Sequence, residues 1–277
     1  MVQLYYKIIS QVPPEINETR KQLFQNFPFV FQREIFFYNS VRELFEKVIE
    51  EQEENVDDML SIIPKPFTLS GHLTDKRAFE EPLVCEDLSS IGFKMWKKEF
   101  EGLDLPHSEI AIEALGKLHA LGMLLLEKTA LEDDSIVKQL DVNMMSFFTE
   151  PIMQIIETGM ASFRDWMLNN DYDENALTNL EQELTEKNYL KTFRELFEEG
   201  EKHELRTIHH GDARANNILY RYADDNTTPV EVRIVDYQFT GVFNPFFDIV
   251  YFLAISLPSD LLIQHYPALL HRYHLSL

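Results

Sequence analysis

Three side chains late in the chain have the types and the spacing for phosphoryl transfer. Asp212 lies in the run Ile208-His209-His210-Gly211-Asp212-Ala213-Arg214-Ala215-Asn216-Asn217, five positions before the amide of Asn217. Asp236 closes a second run, Val232-Arg233-Ile234-Val235-Asp236. Moving a phosphoryl group onto a hydroxyl asks little covalent chemistry of a protein. One carboxylate orients the attacking hydroxyl, while a second carboxylate and an amide oxygen hold magnesium against the nucleotide phosphates. Asp212 suits the first part, Asn217 and Asp236 the second. The plainer alternative is a polar hairpin whose carboxylates have no chemical role. A second aspartate at the end of the paired strand argues against it.

The residues between these groups say how they are positioned. Asn217-Ile218-Leu219-Tyr220 is an apolar, strand-like run, and Asp224-Asp225-Asn226-Thr227-Thr228-Pro229 has the composition of a turn. The return strand, Val230 to Val235, alternates inward and outward residues. A hairpin of this kind brings the Asp212–Asn217 loop and Asp236 to one end. Behind Asn244-Pro245 a helix is expected from Phe246 to Leu257, with Asp248 in its first turn placed to cap or brace the loop.

Earlier elements follow the same periodicities. Residues 2–9 read as a strand. Phe31, Ile35, Tyr38, Val41, Leu44, Phe45, Val48 and Ile49 recur at helical spacing, which predicts one helix from Phe31 to about Met59. The acidic run Glu50-Glu51-Gln52-Glu53-Glu54 is its solvated face. Pro64, Pro66 and Gly71 mark loops, and residues 76–82 a turn. A second helix is expected from Ser108, as N-cap, to about Lys128, with His119 packed in the core. Residues 130–205 read as three further helices with apolar faces from Met144, Met145, Phe147 and Phe148, then Phe163, Trp166 and Met167.

Composition narrows the partners. The 277 residues are long enough for a full core, in one large domain or two lobes. With 47 acidic against 25 basic residues the net charge is −22, which repels a nucleic-acid backbone and an anionic membrane, so neither is an expected partner. A neutral or cationic small molecule is compatible with that charge. The single Cys85 excludes an intramolecular disulfide and reads as a small buried hydrophobe in a reducing, cytoplasmic setting. The longest apolar run, Ile249 to Leu257, falls short of the roughly 20 residues that span a bilayer.

His210-Gly211-Asp212 with Asn217, then Val235-Asp236-Tyr237-Gln238, then the stretch from Asn244-Pro245 to Leu253 resemble the ecdysteroid kinase-like family. That family belongs to the choline kinase and aminoglycoside phosphotransferase superfamily, with a protein-kinase-like fold. The resemblance implies an α+β chain with a partial N-terminal β lobe and hinge at 1–88 and a mainly helical C-terminal lobe at 89–277. It implies ATP and Mg2+ as cofactors and a small-molecule hydroxyl, ecdysteroid-like or choline-like, as acceptor. Lys7 would contact the nucleotide phosphates, with Glu34 as its ion-pair partner; a first-turn glutamate favouring a helix N-terminus is the simpler role for Glu34. Leu83-Val84-Cys85-Glu86-Asp87-Leu88 resembles the hinge, with Glu86 and Asp87 at the mouth of the adenine site, or equally a polar loop after a buried strand. Arg214 stands two residues after Asp212, where protein kinases carry a lysine that contacts the γ-phosphate; otherwise it is a surface arginine. His210 would pack beneath the loop and hold its backbone.

Departures from the family are visible. Ala213-Arg214 stands where that family often carries Leu-Trp, and Asp236-Tyr237-Gln238 replaces the Asp-Phe-Gly of protein kinases. No glycine precedes Gly71, although the family has a glycine-rich loop ahead of the lysine strand. The expectation is a family member truncated at its N-terminus and C-terminus. The competing reading is a catalytically impaired, pseudokinase-like or truncated member.

Overall fold

The computed structural model describes residues 4–7, 31–67, 83–96, 102–129, 139–140, 150–170, scattered positions from 175 to 202, and 204–277. Strand β1 (Leu4–Lys7) pairs antiparallel with β2 (Leu83–Glu86), from Leu4↔Glu86 to Lys7↔Leu83. The helix expected between Phe31 and Met59 is not one helix. Residues 31–36 are α-helical, Phe37–Val41 form a π-helical turn, and α1 (Arg42–Glu51) continues from it. The π turn keeps Phe37, Tyr38 and Val41 all buried. Phe45, Val48 and Ile49 carry the buried stripe through α1, and Glu43–Lys47 pairs along its outer face at 2.9 Å.

The acidic run offers no apolar residue to hold a further turn on the core, and Glu53 turns the chain with φ of 60°. Asn55 then caps a separate short helix, α2 (Val56–Met59), accepting the Asp58 amide at 3.1 Å. After β2, a short strand β3 (Lys94–Met95) leads to α3 (Leu105–Thr129). This helix begins before Ser108. Asp104 is its cap, accepting the His107 amide at 3.2 Å, while Ser108 Oγ donates to the Asp104 carbonyl at 2.8 Å inside the first turn. Pro106 sits where a missing N–H has no cost.

Helix α3 is the spine of the core, with Ile112, Leu115, Leu118 and Leu121 fully buried. Each such side chain contributes about 1.5–3 kcal/mol of hydrophobic stabilisation. It packs closely on strand β4 (Thr207–His209) at Gly122, where a Cβ would lie 2.3 Å from Thr207 Oγ1 and 2.4 Å from the Ile208 nitrogen. Only a residue without a side chain allows that approach. The expected hairpin forms as β5 (Ile218–Tyr222) and β6 (Pro229–Ile234), antiparallel, with β3 on the other side of β5. Strand β7 (Gly241–Phe243) pairs with β4. Two helices close the chain, α5 (Phe246–Ser256) and α6 (Ser259–Leu275).

The chain is thus mixed, mostly helical, with small sheets. It groups into two compact units: Met1–Ser10, Phe27–Asp141 and Leu205–Leu277 make one, and Gln11–Asn26 with Val142–Glu204 the other. The first draws on residues from both sides of residue 88. In the second, one of the helices expected over 130–205 is α4 (Glu150–Leu168). There Met167 is buried, but Phe163 and Trp166 are half-exposed and stack on each other at 5.9 Å. Met144, Met145, Phe147 and Phe148 lie outside the described residues, as does the turn at 76–82. Among the described residues no helix is long and apolar enough to cross a membrane.

Candidate functional site

The loop carrying Asp212 leaves β4 and enters β5 through a single 3-10 turn, Ala215–Asn217. Its start is held from below by Asp248, fully buried in the first turn of α5. The Asp248 carboxylate accepts the His210 amide at 2.6 Å, the Gly211 amide at 2.9 Å and His119 Nε2 at 3.1 Å. Burial alone would raise its pKa. The His119 hydrogen bond and the nearby His209, His119 and His210 outweigh that and hold it well below the ordinary carboxylate range. Gly211 has φ of 83°, and a Cβ there would meet the Phe239 carbonyl oxygen at 2.2 Å. The loop can therefore pass only as glycine.

His210 is buried under the loop. Its Nε2 donates to the Val235 carbonyl at 2.9 Å, and its Nδ1 accepts the Asp212 amide at 3.2 Å. One imidazole thus ties the Asp212 loop to the end of β6. His119, fully buried, reaches Tyr273 of α6 through Nδ1 at 2.8 Å, so it is a core histidine that also supports the loop.

Asp212 is 9% exposed. Asn217 Nδ2 donates to its carbonyl at 2.9 Å and to its Oδ2 at 3.0 Å, and the Tyr251 hydroxyl donates to Oδ1 at 2.9 Å. Arg214 Nε stands 3.3 Å from Oδ2, an ion-pair contact without hydrogen-bond alignment. The Val235 amide donates to the Asn217 carbonyl at 2.9 Å, which sets Asn217 and Asp236 side by side at one end of the hairpin. Asp236 has φ of 71° and ψ of 58°, left-handed backbone that aspartate tolerates better than most residues. Behind it Tyr237 stacks on Phe37 of the π turn, with centroids 3.8 Å apart and planes 8° from parallel.

Asn217 and Asp236 face a cavity of about 620 Å3. Glu34, Tyr38, Cys85, Glu86 and Asp87 also line it, with apolar walls from Leu83, Leu88, Met95 and Leu219. Glu34 is buried on the helix that turns into Phe37, one helical turn before Tyr38. Burial, then Glu34 and Glu86, push the Cys85 thiol up to about 12, so it stays protonated. Glu86 and Asp87 also have local tasks. Glu86 accepts the Lys65 amide at 3.0 Å and lies 3.9 Å from Arg233 Nε, and Asp87 accepts the Ser89 amide at 3.0 Å and its hydroxyl at 2.6 Å. Those are the bonds of a polar loop that borders a cavity.

The residues singled out in the sequence therefore fall into groups. Asn217, Asp236, Glu34, Glu86 and Asp87 share the cavity, and Asp212 with Arg214 sits against Asn217. The backbone of Lys7 pairs with Leu83, next to that wall, and its side chain lies outside the described residues. Sequence reasoning missed Tyr251. The available signal was a hydroxyl one helical turn after Asp248, on the same side of α5 as the residue expected to brace the loop. It also missed Tyr38 and Leu219, which read only as core and strand.

Among the described residues no group of three or more His, Cys, Asp or Glu could hold a metal alone. A hard cation here would need oxygens from a ligand beside those of Asp236 and Asn217, which is how magnesium is commonly held with phosphates. The Asn217 amide fits that use, because its NH2 is committed to Asp212 and its oxygen is the atom left to accept. Compared with known proteins, the chain matches no curated protein. A family model described as the ecdysteroid kinase-like family matches residues 5–277, from β1 through the loop and its braces to the last residue, and the chain belongs to that family.

Proposed function

We propose that this protein is an ATP- and Mg2+-dependent phosphotransferase acting on a hydroxyl of a small molecule, ecdysteroid-like or choline-like. The observation that carries it is the hairpin end. It sets Asp212, Asn217 and Asp236 together, with the last two on the wall of a cavity of about 620 Å3, a volume usual for a nucleotide-sized ligand. In this reading β1, β2 and the helix bearing Glu34 belong to the small lobe. Residues 83–88 are the hinge beside the adenine, and the remainder is the mainly helical large lobe.

Asp212 orients the acceptor hydroxyl and takes its proton. Asn217 and Asp236 would hold the magnesium, and Lys7, steadied by Glu34, the phosphates. When bound, Mg2+–ATP supplies the phosphoryl group and the cation that neutralises its charge. The wall itself supports a need for that cation: Glu34, Glu86, Asp87 and Asp236 line the cavity, and a bare polyphosphate would be repelled by them. Arg214 would stabilise charge on the group in transfer.

The test is ATP consumption by the purified protein with Mg2+ over a panel of sterol and amino-alcohol acceptors. Asp212→Asn should bind ATP as wild type does and lose turnover by about a hundredfold or more. Asp236→Asn keeps a residue that accepts left-handed backbone, so it removes charge without adding strain. It should abolish the Mg2+-dependent rise in melting temperature that ATP produces. A D212N protein turning over within a few-fold of wild type, or an unchanged magnesium effect in D236N, would refute the assignment.

A further inference from the structure

A carboxylate accepts about four hydrogen bonds, two at each oxygen. At Asp212, Oδ2 faces both Asn217 Nδ2 at 3.0 Å and Arg214 Nε at 3.3 Å. Oδ1 receives one donor, the Tyr251 hydroxyl at 2.9 Å. Arg214 stands against Oδ2 without hydrogen-bond alignment and crowds it, so the oxygen open to an incoming hydroxyl is Oδ1, beside the phenol. Tyr251 is well placed to keep it so. Its ring is half-buried and lies nearly parallel to Phe247, with planes 11° apart and centroids 6.0 Å apart. It shares α5 with Asp248, which holds the backbone of the same loop. One helix thus grips the loop twice, at its peptide groups and at its carboxylate.

From this we infer that Tyr251 is a positioning residue for Asp212. Its phenol fixes the rotation of the carboxylate and leaves one lone pair of Oδ1 for the acceptor hydroxyl. The inference rests on the phosphotransfer reading above. Burial, then the charge and hydrogen bond of Asp212, push the phenol up to about 12, so it remains a donor at neutral pH. An acceptor alcohol arriving at Oδ1 shares that oxygen with Tyr251, and its first carbons meet the Tyr251 ring. Arg214 and Asn217 occupy the other side.

The experiment is steady-state kinetics of wild type, Tyr251→Phe and Asp212→Asn on whichever acceptor of the panel wild type uses best. The phenylalanine keeps the ring and its stacking and removes only the donor. The expected result is a kcat lower by about tenfold to a hundredfold, with KM for ATP and for the acceptor each within about twofold of wild type. If Y251F keeps its kcat while D212N is inactive, Tyr251 has no positioning role and the phosphotransfer reading stands. A rise in both KM values at constant kcat would mark a general packing role and overturn the inference in the same way. If D212N is as active as wild type, or wild type consumes no ATP with any acceptor, the phosphotransfer reading falls and takes this role with it.

Discussion

Replacing Asp248 by asparagine changes a single atom, and its cost can be worked from the bonds that atom makes. Oδ2 accepts two donors, the His210 amide at 2.6 Å and His119 Nε2 at 3.1 Å; Oδ1 accepts the Gly211 amide at 2.9 Å. The amide oxygen of Asp248→Asn is best kept on the side with two donors. Its NH2 then points at the Gly211 N–H, donor against donor, at a fully buried side chain. A hydrogen bond to a charged group contributes about 1.5–3 kcal/mol, and the two that survive lose their charge assistance. Removing one partner from a buried charged pair costs about 3–5 kcal/mol, and that is the expected loss. At about 2 °C per kcal/mol for a chain of this length, the melting temperature at pH 7 should fall by about 6–10 °C.

The pH dependence gives a second reading of the same substitution. The folded pKa of Asp248 is depressed, so its contribution is present above the unfolded value of about 3.9 and is lost as pH falls below it. The gap between wild type and D248N should therefore narrow below about pH 4. His209 is coupled to Asp248: burial lowers its pKa and the Asp248 charge opposes that in part, so D248N lowers it further. Both proteins should lose stability as pH falls through about 6.5, the unfolded histidine value. The assay is thermal unfolding followed by circular dichroism from pH 3 to pH 8. A melting temperature within about 2 °C of wild type at pH 7, or a gap that fails to narrow between about pH 4 and pH 3, would show that the carboxylate is not what holds the loop.

Two further substitutions test the packing around the site. Gly211→Ala combines left-handed backbone, about 1–2 kcal/mol, with a Cβ only 2.2 Å from the Phe239 carbonyl, and should destabilise by about 3 kcal/mol or more; an unchanged urea midpoint would contradict the close approach. Tyr237→Phe should stabilise by about 1 kcal/mol, because the Tyr237 hydroxyl is fully buried with no hydrogen-bond partner among the described residues while the ring stack on Phe37 is retained. A lower urea midpoint for Y237F would reveal a partner for that hydroxyl.

What the sequence determined by itself was local. The β5–β6 hairpin was legible because alternation, turn composition and the short distance between the strands all act within one window of chain. The same locality places Asp212, Asn217 and Asp236 at one end of it. The helix from Phe246 was legible for the same reason, behind Asn244-Pro245. Even the true start of α3 was written locally, as Asp104-Leu105-Pro106, although Ser108 offered a competing cap of equal quality. The π turn was not legible. Phe36, Phe37 and Tyr38 are apolar on every side, so their pattern cannot tell an α turn from a π turn; the face of Tyr237, about two hundred residues away in sequence, meets Phe37 there. The supports of Asp212 were hidden in the same way. Tyr251 lies 39 positions from Asp212, Asp248 lies 129 from His119, and Tyr273 lies 154 from His119. Hydrophobic periodicity reports which face of an element is buried, and it carries no information about which distant polar group that face will meet. Only the packing of α5 and α6 against α3 decided that, because a buried carboxylate and a buried imidazole each need a partner that the nearby chain does not supply.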